Sequence, residues 1–172
     1  MTASGSAVRV FVSYTQEDAA HTNRVTQLVE DLRVYGGVDA RFDRHVLHTP
    51  PEGWARWMEN EIASATYVLV VCTETYLRRY TQQEKPGKGK GAIWESLIIR
   101  DEMYDNAGNN VKFAAVLFDE SDAAHKPPPL KSHTHYLYPD PKGRERLLRW
   151  LTSQPEYIAP PIGKVPRLPP NP

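Results

Sequence analysis

The sequence predicts an α/β fold of three layers, in which helices cover both faces of a five-stranded parallel sheet. Segments with strand and helix patterns alternate from residue 8 to residue 151. Residues 67–72 are apolar at every position, which is typical of a strand covered on both faces. The chain has 172 residues, of which 40% are hydrophobic, so it is long enough to bury the core of such a fold.

The first part of the chain predicts a strand, a helix and a second strand. Residues 8–14 are rich in β-branched and aromatic side chains, which favour a strand. Thr15, three residues before Asp18, predicts a capping box at the start of the first helix. Apolar residues recur at helical spacing over residues 25–32, and a glycine pair then ends the pattern. Residues 38–43 can form the second strand.

A proline-containing loop and an amphipathic helix follow the second strand. Residues 45–53 include two adjacent prolines, which disfavour both a helix and a strand ladder. Trp54, Trp57 and Met58 then begin a second helix and have the spacing of a core-facing side. Packing is therefore the simplest interpretation of these three side chains.

The remaining elements alternate in the same way. The polar, glycine-rich residues 81–91 predict a mobile loop, and residues 93–103 predict a third helix. Residues 111–118 predict a buried strand, residues 135–138 a short edge strand, and residues 147–151 mark the final helix. The strand order best matched by this alternation is the flavodoxin-like order 2-1-3-4-5.

Composition divides the chain into three parts. Residues 1–7 predict a disordered N-terminus, and residues 8–154 form the folded domain. Seven of the last 18 residues are proline, so residues 155–172 predict an extended linker or tail. We expect such a linker to lead to a further C-terminal sensor or oligomerisation domain.

Several classes of function are disfavoured by the composition. The 21 basic and 21 acidic side chains give a net charge of zero, which argues against direct binding to nucleic acid. One cysteine, Cys72, fits a reducing compartment, and the longest apolar run of six residues is too short to span a membrane. The histidines lack partners at metal-binding spacings. We therefore expect a cytoplasmic protein without a membrane segment, a metal or a resident cofactor.

A ligand crevice is expected beyond the carboxyl ends of strands one and three, where the strand order reverses. Polar residues follow both strands: Ser13, Tyr14, Thr15, Gln16, Thr73 and Glu74. The loop at residues 43–53 and the start of the third helix at Trp94 and Glu95 should border the same crevice.

Four motifs in register resemble the SEFIR branch of the TIR superfamily. They are Val-Phe-Val-Ser-Tyr at 10–14, the Trp-rich stretch 54–62, the apolar strand 67–73, and Gly-Ala-Ile-Trp-Glu at 91–95 with 98–104 behind it. The resemblance extends over residues 8–152 and implies a flavodoxin-like fold. It also implies one of two roles: an enzyme that consumes NAD, or a homotypic signalling adaptor.

The enzymatic role requires a glutamate on the third helix, and Glu95 beside Trp94 matches that position. The resemblance then implies cleavage of the nicotinamide–ribose bond of NAD, activated by self-assembly, in the effector domain of a prokaryotic immune (anti-phage) or signalling protein. The residues that could bind NAD are Ser13, Tyr14, Thr15, Asp43, Arg44, Gly53, Trp54 and Trp94. Two alternatives stay open: Glu95 could be a solvated first-turn residue, and Glu102, seven residues later, is a second candidate.

The adaptor role places a protein-binding surface on the loop at residues 45–53 and on the second helix. A pair of prolines restricts this loop and lowers the cost of ordering it on binding. The candidate interface residues are His45, Val46, Leu47, His48, Pro50 and Pro51. The same loop could set the activity of the enzyme when a neighbouring copy contacts it.

Overall fold

The computed structural model describes residues 5–81, 90–105 and 110–172, and for residues 90–96 it describes the backbone alone. Within these residues a five-stranded sheet has the order 2-1-3-4-5, and every neighbouring pair of strands is parallel. The predicted fold class and strand order are confirmed. The strands are β1 (Arg9–Ser13), β2 (Asp39–Arg41), β3 (Tyr67–Val71), β4 (Phe113–Leu117) and β5 (His135–Leu137).

Helices connect the strands and cover both faces of the sheet. They are α1 (Ala19–Val34), α2 (Trp54–Ser64), α3 (Glu74–Tyr80), α4 (Lys90–Asp105) and α5 (Pro141–Leu151). Short 3₁₀ turns lie at Asp43–His45, Glu120–His125 and Pro128–Leu130. Because parallel strands need crossover connections, this alternation produces the three layers that the sequence predicts.

The central strands send alternate side chains into two separate cores. Val12 and Leu69 belong to the core that α1 and α5 cover, whereas Phe11, Val68 and Val70 belong to the core beneath α2, α3 and α4. This alternation follows from the two-residue repeat of a strand. The wholly apolar run at residues 67–72 therefore contributes side chains to both cores.

The start of α1 differs from the prediction. Thr15 does not cap the helix: α1 begins at Ala19, and the Asp18 carboxylate accepts a hydrogen bond from the backbone N–H of His21. The Thr15 hydroxyl instead donates to Glu17. Asp is as good an N-cap as Thr, and here the extended backbone of Asp18 places its side chain over the first turn.

The connection between β3 and β4 contains a helix that the sequence pattern does not predict. The predicted third helix is α4, the fourth in chain order, and it begins at Lys90 rather than after residue 91. The short α3 precedes it, capped by the Thr73 hydroxyl, which accepts from the N–H of Tyr76. Of the predicted mobile loop at residues 81–91, positions 82–89 lie outside the described residues.

Residues 155–172 have neither helix nor strand, and each of them is exposed. One ion pair joins their start to α5, with Lys142 Nζ at 2.6 Å from Glu156 Oε1. The segment therefore adds nothing to either core. Among the described helices, none has the length and apolar character needed to cross a lipid bilayer.

Candidate functional site

A cleft of about 290 Å³ opens at the carboxyl ends of β1 and β3, where the strand order reverses. This is the position that the fold predicts for a ligand. Described residues from β1 and from α2, α3 and α4 line it: Phe11, Val12, Ser13, Tyr14, Thr15, Gln16, Asp43, Trp54, Trp57, Met58, Tyr76, Arg79, Tyr80 and Ile99. Five of the predicted binding residues are therefore brought together: Ser13, Tyr14, Thr15, Asp43 and Trp54.

Hydroxyl groups form one wall of this cleft. Ser13, which is buried, shares a hydrogen bond of 2.8 Å with the phenol of Tyr76. The hydroxyls of Thr15 and Thr73 donate to the same carboxylate oxygen of Glu17, at 2.8 and 2.9 Å. Because these polar groups are paired, the ends of β1 and β3 are held in one arrangement beside the cleft.

Asp43 connects the cleft to the loop that follows β2. Its Oδ1 accepts from the phenol of Tyr14 at 2.7 Å, and its Oδ2 accepts from the side-chain amide of Gln16 at 3.1 Å. The Tyr14 ring lies against Phe42 and His21, with centroid distances of 6.2 and 6.3 Å. A displacement of Asp43 would therefore disturb the polar residues at the end of β1.

Two indole rings also line the cleft. Trp54 is 38% exposed and meets Trp57 edge-on, with ring centroids 5.7 Å apart. Trp57 in turn packs edge-on against Phe11 at 5.9 Å, and Met58 is buried. The packing interpretation thus holds for Met58 and in part for Trp57, whereas the Trp54 ring is accessible to a flat ligand.

Three residues of α3 line the cleft although no sequence motif singled them out. Tyr76 and Tyr80 are buried, and Arg79 is half-buried beside them. Burial raises the pKa of the Tyr80 phenol to about 12, so the group stays neutral in ordinary buffers. The spacing of Tyr76 and Tyr80, four residues apart after a capping threonine, is the signal that could have revealed this helix.

Other predicted binding residues lie elsewhere. Arg44 does not line the cleft: it lies beside the start of α1, and its Nη1 donates to Thr26 Oγ1 at 2.8 Å. Gly53 is the residue before α2 and has a φ of 82°, a conformation that glycine adopts without strain. Thr73 and Glu74 flank the cleft at the start of α3 without lining it.

The side chains of Trp94 and Glu95 lie outside the described residues, although the backbone of both positions is part of α4. Position 95 lies one helical turn before Ile99, a buried residue that lines the cleft. Glu102, the second candidate, is half-buried on the same helix. Since residues four apart share a helix face, the register of α4 is compatible with a role for position 95 at the cleft.

The candidate interface loop is mostly exposed, and Pro50 is its buried residue. His45 packs edge-on against Phe42, and burial together with Arg33 and Arg41 lowers the pKa of its imidazole. Val46 is half-buried, Pro50 is buried, and His48 and Pro51 are exposed. Leu47 is 92% exposed, so this loop presents a large apolar side chain to solvent.

The histidines of the C-terminal half are held by local contacts. His125 Nδ1 lies 3.0 Å from an Asp122 oxygen, and His135 lies 3.6 Å from Glu120. The buried Lys126 donates to the carbonyl oxygen of His133 at 2.6 Å. In the part of the chain that is described, no group of three or more His, Cys, Asp or Glu side chains could hold a metal ion.

The sheet order and the cleft define a flavodoxin-like α/β domain with its candidate site at the strand-order reversal. A family model of the SEFIR domain matches residues 8–149, and the chain belongs to that family. It is also similar to a solved structure titled as the crystal structure of a prokaryotic SEFIR domain. The two are 28% identical with a TM-score of 0.63, over 83% of this chain and 96% of that one.

Proposed function

We propose that this SEFIR domain cleaves the nicotinamide–ribose bond of NAD and is activated by self-assembly. The observation that supports the proposal is the composition of the cleft, which combines the accessible indole of Trp54 with the hydroxyl groups of Ser13, Thr15 and Tyr76. One wall of the cleft includes Ile99 of α4, the helix that carries Glu95. An aromatic surface and a polar wall are what a heterocycle joined to a ribose requires.

The chemistry of the reaction explains why one carboxylate is enough. Nicotinamide leaves NAD as a neutral molecule, so no general acid has to protonate it. Positive charge then develops on the ribose, as in the oxocarbenium-like transition state of glycoside hydrolysis. A carboxylate fixed beside that carbon stabilises the transition state more than the ground state, which raises the rate. We assign this role to Glu95.

The other residues of the cleft bind and orient the substrate. The exposed face of Trp54 would stack on the nicotinamide or the adenine ring. The hydroxyls of Ser13 and Thr15 lie at the end of β1 and would orient the ribose through hydrogen bonds. Asp43 would keep Tyr14 and Gln16 in place during this step.

Glu95→Gln should lower the rate of nicotinamide release by about 100- to 1000-fold, because it removes the charge that stabilises the transition state. The assay follows nicotinamide from NAD at high protein concentration, with and without a fused oligomerisation domain. Glu102→Gln, the same change seven residues later on α4, is the matched control and should retain most of the activity. Full activity of Glu95→Gln would contradict the residue assignment, and no release by the wild type in assembled form would contradict the reaction.

A second candidate function is a non-catalytic homotypic adaptor, favoured by the exposure of Leu47 and Pro51 on a loop in which Pro50 is buried. Leu47→Asp should abolish self-association, whereas Val34→Asp, at an apolar residue exposed on α1, should not. Sedimentation velocity measures both variants. Loop-dependent association without NAD turnover favours the adaptor, and association together with turnover favours the assembled enzyme.

In the cell we place this domain as the effector of a cytoplasmic prokaryotic immune or signalling protein. The exposed, proline-rich residues 155–172 support a role as a spacer between this domain and a sensor or oligomerisation domain. Activity of the SEFIR domain would then depend on how closely the sensor brings several copies together.

A further inference from the structure

The proline-rich segment at residues 155–172 leaves the domain at a defined point after α5. Ser153 has a φ of 54°, the left-handed conformation that ends many helices. Glu156 then lies 2.6 Å from Lys142, which belongs to the first turn of α5. Because Glu156 follows the end of the helix, this ion pair turns the chain back along α5 before the segment extends into solvent.

A triplet of a basic, an apolar and a proline residue occurs twice in succession in this segment. The triplets are Lys-Val-Pro at 164–166 and Arg-Leu-Pro at 167–169, and Ile162 stands at the apolar position of the preceding three residues. A polyproline helix has three residues per turn and rises about 3.1 Å per residue. Equivalent positions of the triplets would therefore lie along one face, about 9 Å apart, and the segment predicts a basic, an apolar and a proline face.

The apolar positions of the triplets face water. Ile162, Val165 and Leu168 are between 82% and 101% exposed, and the segment has neither helix nor strand. A spacer does not require large aliphatic side chains, because its reach depends on the stiffness of the backbone. A row of exposed aliphatic side chains is typical of a surface that a partner covers. The row therefore indicates binding in addition to spacing.

The charges of the segment distinguish between classes of partner. Lys164 and Arg167 are its two basic residues, and no acidic residue follows Glu156. Two cations are fewer than the about four to eight that bring a segment to an anionic membrane. Proteins recognise a polyproline helix with grooves that are lined by aromatic rings. Two basic residues three positions apart are complementary to carboxylates at the rim of such a groove.

We propose that residues 161–170 bind, as a polyproline helix, the aromatic and acid-rimmed groove of a proline-recognition domain in a partner protein. The apolar and proline faces enter the groove, and Lys164 and Arg167 meet the carboxylates at its rim. A proline-rich segment favours the bound conformation before it meets the partner, which lowers the entropy lost on binding. This binding depends neither on the NAD reaction nor on Glu95.

The test is calorimetric titration of the full chain with a panel of purified proline-recognition domains of the SH3 and WW classes. Each domain is first shown to bind a proline-rich peptide of its own, and at least one should bind this chain with saturation. Val165→Asp should weaken that binding by about 10- to 100-fold, because a charge replaces an aliphatic group in the groove. Ile158→Asp, the same change at a 78% exposed residue before the triplets, should bind within about threefold of the wild type.

Exchanging two neighbouring residues tests the period of three directly. The variant Val165→Pro/Pro166→Val keeps composition and charge, but it moves one apolar side chain to the next face of the helix. It should weaken binding by about 10-fold. Ile158→Ala/Ala159→Ile is the matched exchange outside the triplets and should bind within about threefold of the wild type. Circular dichroism of the peptides 155–172 shows whether the polyproline content of the segment is unchanged.

Each outcome decides the inference. No binding to any domain of the panel, equal affinity of Val165→Asp and wild type, or unaltered binding by the Val165–Pro166 exchange would overturn it. Binding to vesicles of anionic phospholipid without binding to the panel would assign the segment to a membrane instead. Self-association that Val165→Asp abolishes, again without binding to the panel, would assign it to a second copy of this chain. Nicotinamide release enters none of these results, so the proposed reaction can fail while the docking segment stands.

Discussion

At the scale of single residues, burial decides the chemistry of Cys72. This thiol directly follows β3 and is completely buried in the core beneath α2, α3 and α4. Burial disfavours the charged thiolate and raises the pKa of Cys72 to about 12. Because the thiolate is the reactive form, Cys72 behaves as a small apolar side chain and not as a nucleophile.

Cys72 should therefore react with a thiol reagent such as DTNB far more slowly in the native protein than in denaturant, across pH 7 to 9. The physical reason is that the thiol must first be exposed by opening of the fold. Leu47→Cys, at a position that is 92% exposed, is the control and should give one rapidly reacting thiol in the native protein. Equal rates for Cys72 and the added cysteine would contradict this account.

At the scale of elements, the contact between α5 and β5 depends on a glycine. Gly143 lies in the first turn of α5, where its N–H donates to the Asp140 cap at 2.9 Å. A Cβ atom at this position would overlap the backbone carbonyl of Leu137 in β5. The absence of a side chain is thus what allows the helix to lie so close to the edge strand.

Gly143→Ala should destabilise the protein, although alanine is favoured over glycine in helices by about 1 kcal/mol. The clash is with backbone, which cannot rotate away, and we expect a net loss of about 1–3 kcal/mol of unfolding free energy. Urea unfolding measures it. Arg146→Ala, at an exposed position of the same helix, should change stability by no more than about 0.5 kcal/mol. A Gly143→Ala variant as stable as the wild type would show that α5 can shift away from β5.

At the scale of the whole molecule, an ion-pair network stabilises the edge of the sheet formed by β2 and β1. Asp39 of β2 accepts from Arg33 of α1 at 2.7 Å and from Arg41 at 3.0 Å. Arg9 of β1 pairs with Glu61 of α2 at 3.0 Å, and Arg41 lies 4.0 Å from the same carboxylate. Four elements are therefore linked through charged side chains beside the loop that we assign to assembly.

This network makes the stability of the fold depend on pH. Burial alone would raise the pKa of Asp39, but the hydrogen bonds and charges of Arg33 and Arg41 outweigh it and hold the pKa below its usual value. The stabilisation is therefore present above the unfolded-state pKa of about 3.9 and is lost as the pH falls through the lower folded-state pKa.

Asp39→Asn should accordingly destabilise the protein at pH 7, and the difference from wild type should shrink as the pH falls below about 4. Urea unfolding at pH 7, 4 and 3 measures the difference. Asp105→Asn, at an exposed residue at the end of α4, controls for the chemical change. A difference that does not vary with pH would mean that Asp39 contributes through its shape and not through its charge.

The fold could be predicted because its signals are local. The apolar run at residues 67–72 indicates a strand that is buried on both faces. The helical spacing of residues 25–32 indicates a helix that is buried on one face, and both elements are present in the structure. Alternation of the two patterns then restricts the topology, since crossovers between parallel strands are right-handed. The capping residue of α1 and the short α3 were missed because each depends on only a few residues.

The candidate site was predictable only in part. Ser13 ends β1 and Tyr14 and Thr15 follow it directly, so the rule for open parallel sheets predicts their position at the crevice, and all three line the cleft. The sequence predicts Arg44 and not Arg79 as a cleft residue, because position in the chain does not reveal which arginine lines the cleft. Glu95 stays a prediction.

The sequence by itself determined the three-layer fold, the strand order and the membership of the SEFIR family. The reason is that the periodicity of buried residues and the family motifs are recognised from residues that are close in sequence. Recognising them requires no knowledge of distant contacts. The tertiary structure decided which residues meet: Trp54, Ser13 and Arg79 line one cleft, and Asp43 accepts a hydrogen bond from Tyr14. These residues belong to three separate connections between strands, and only the packing of the helices on the sheet fixes the distances between them.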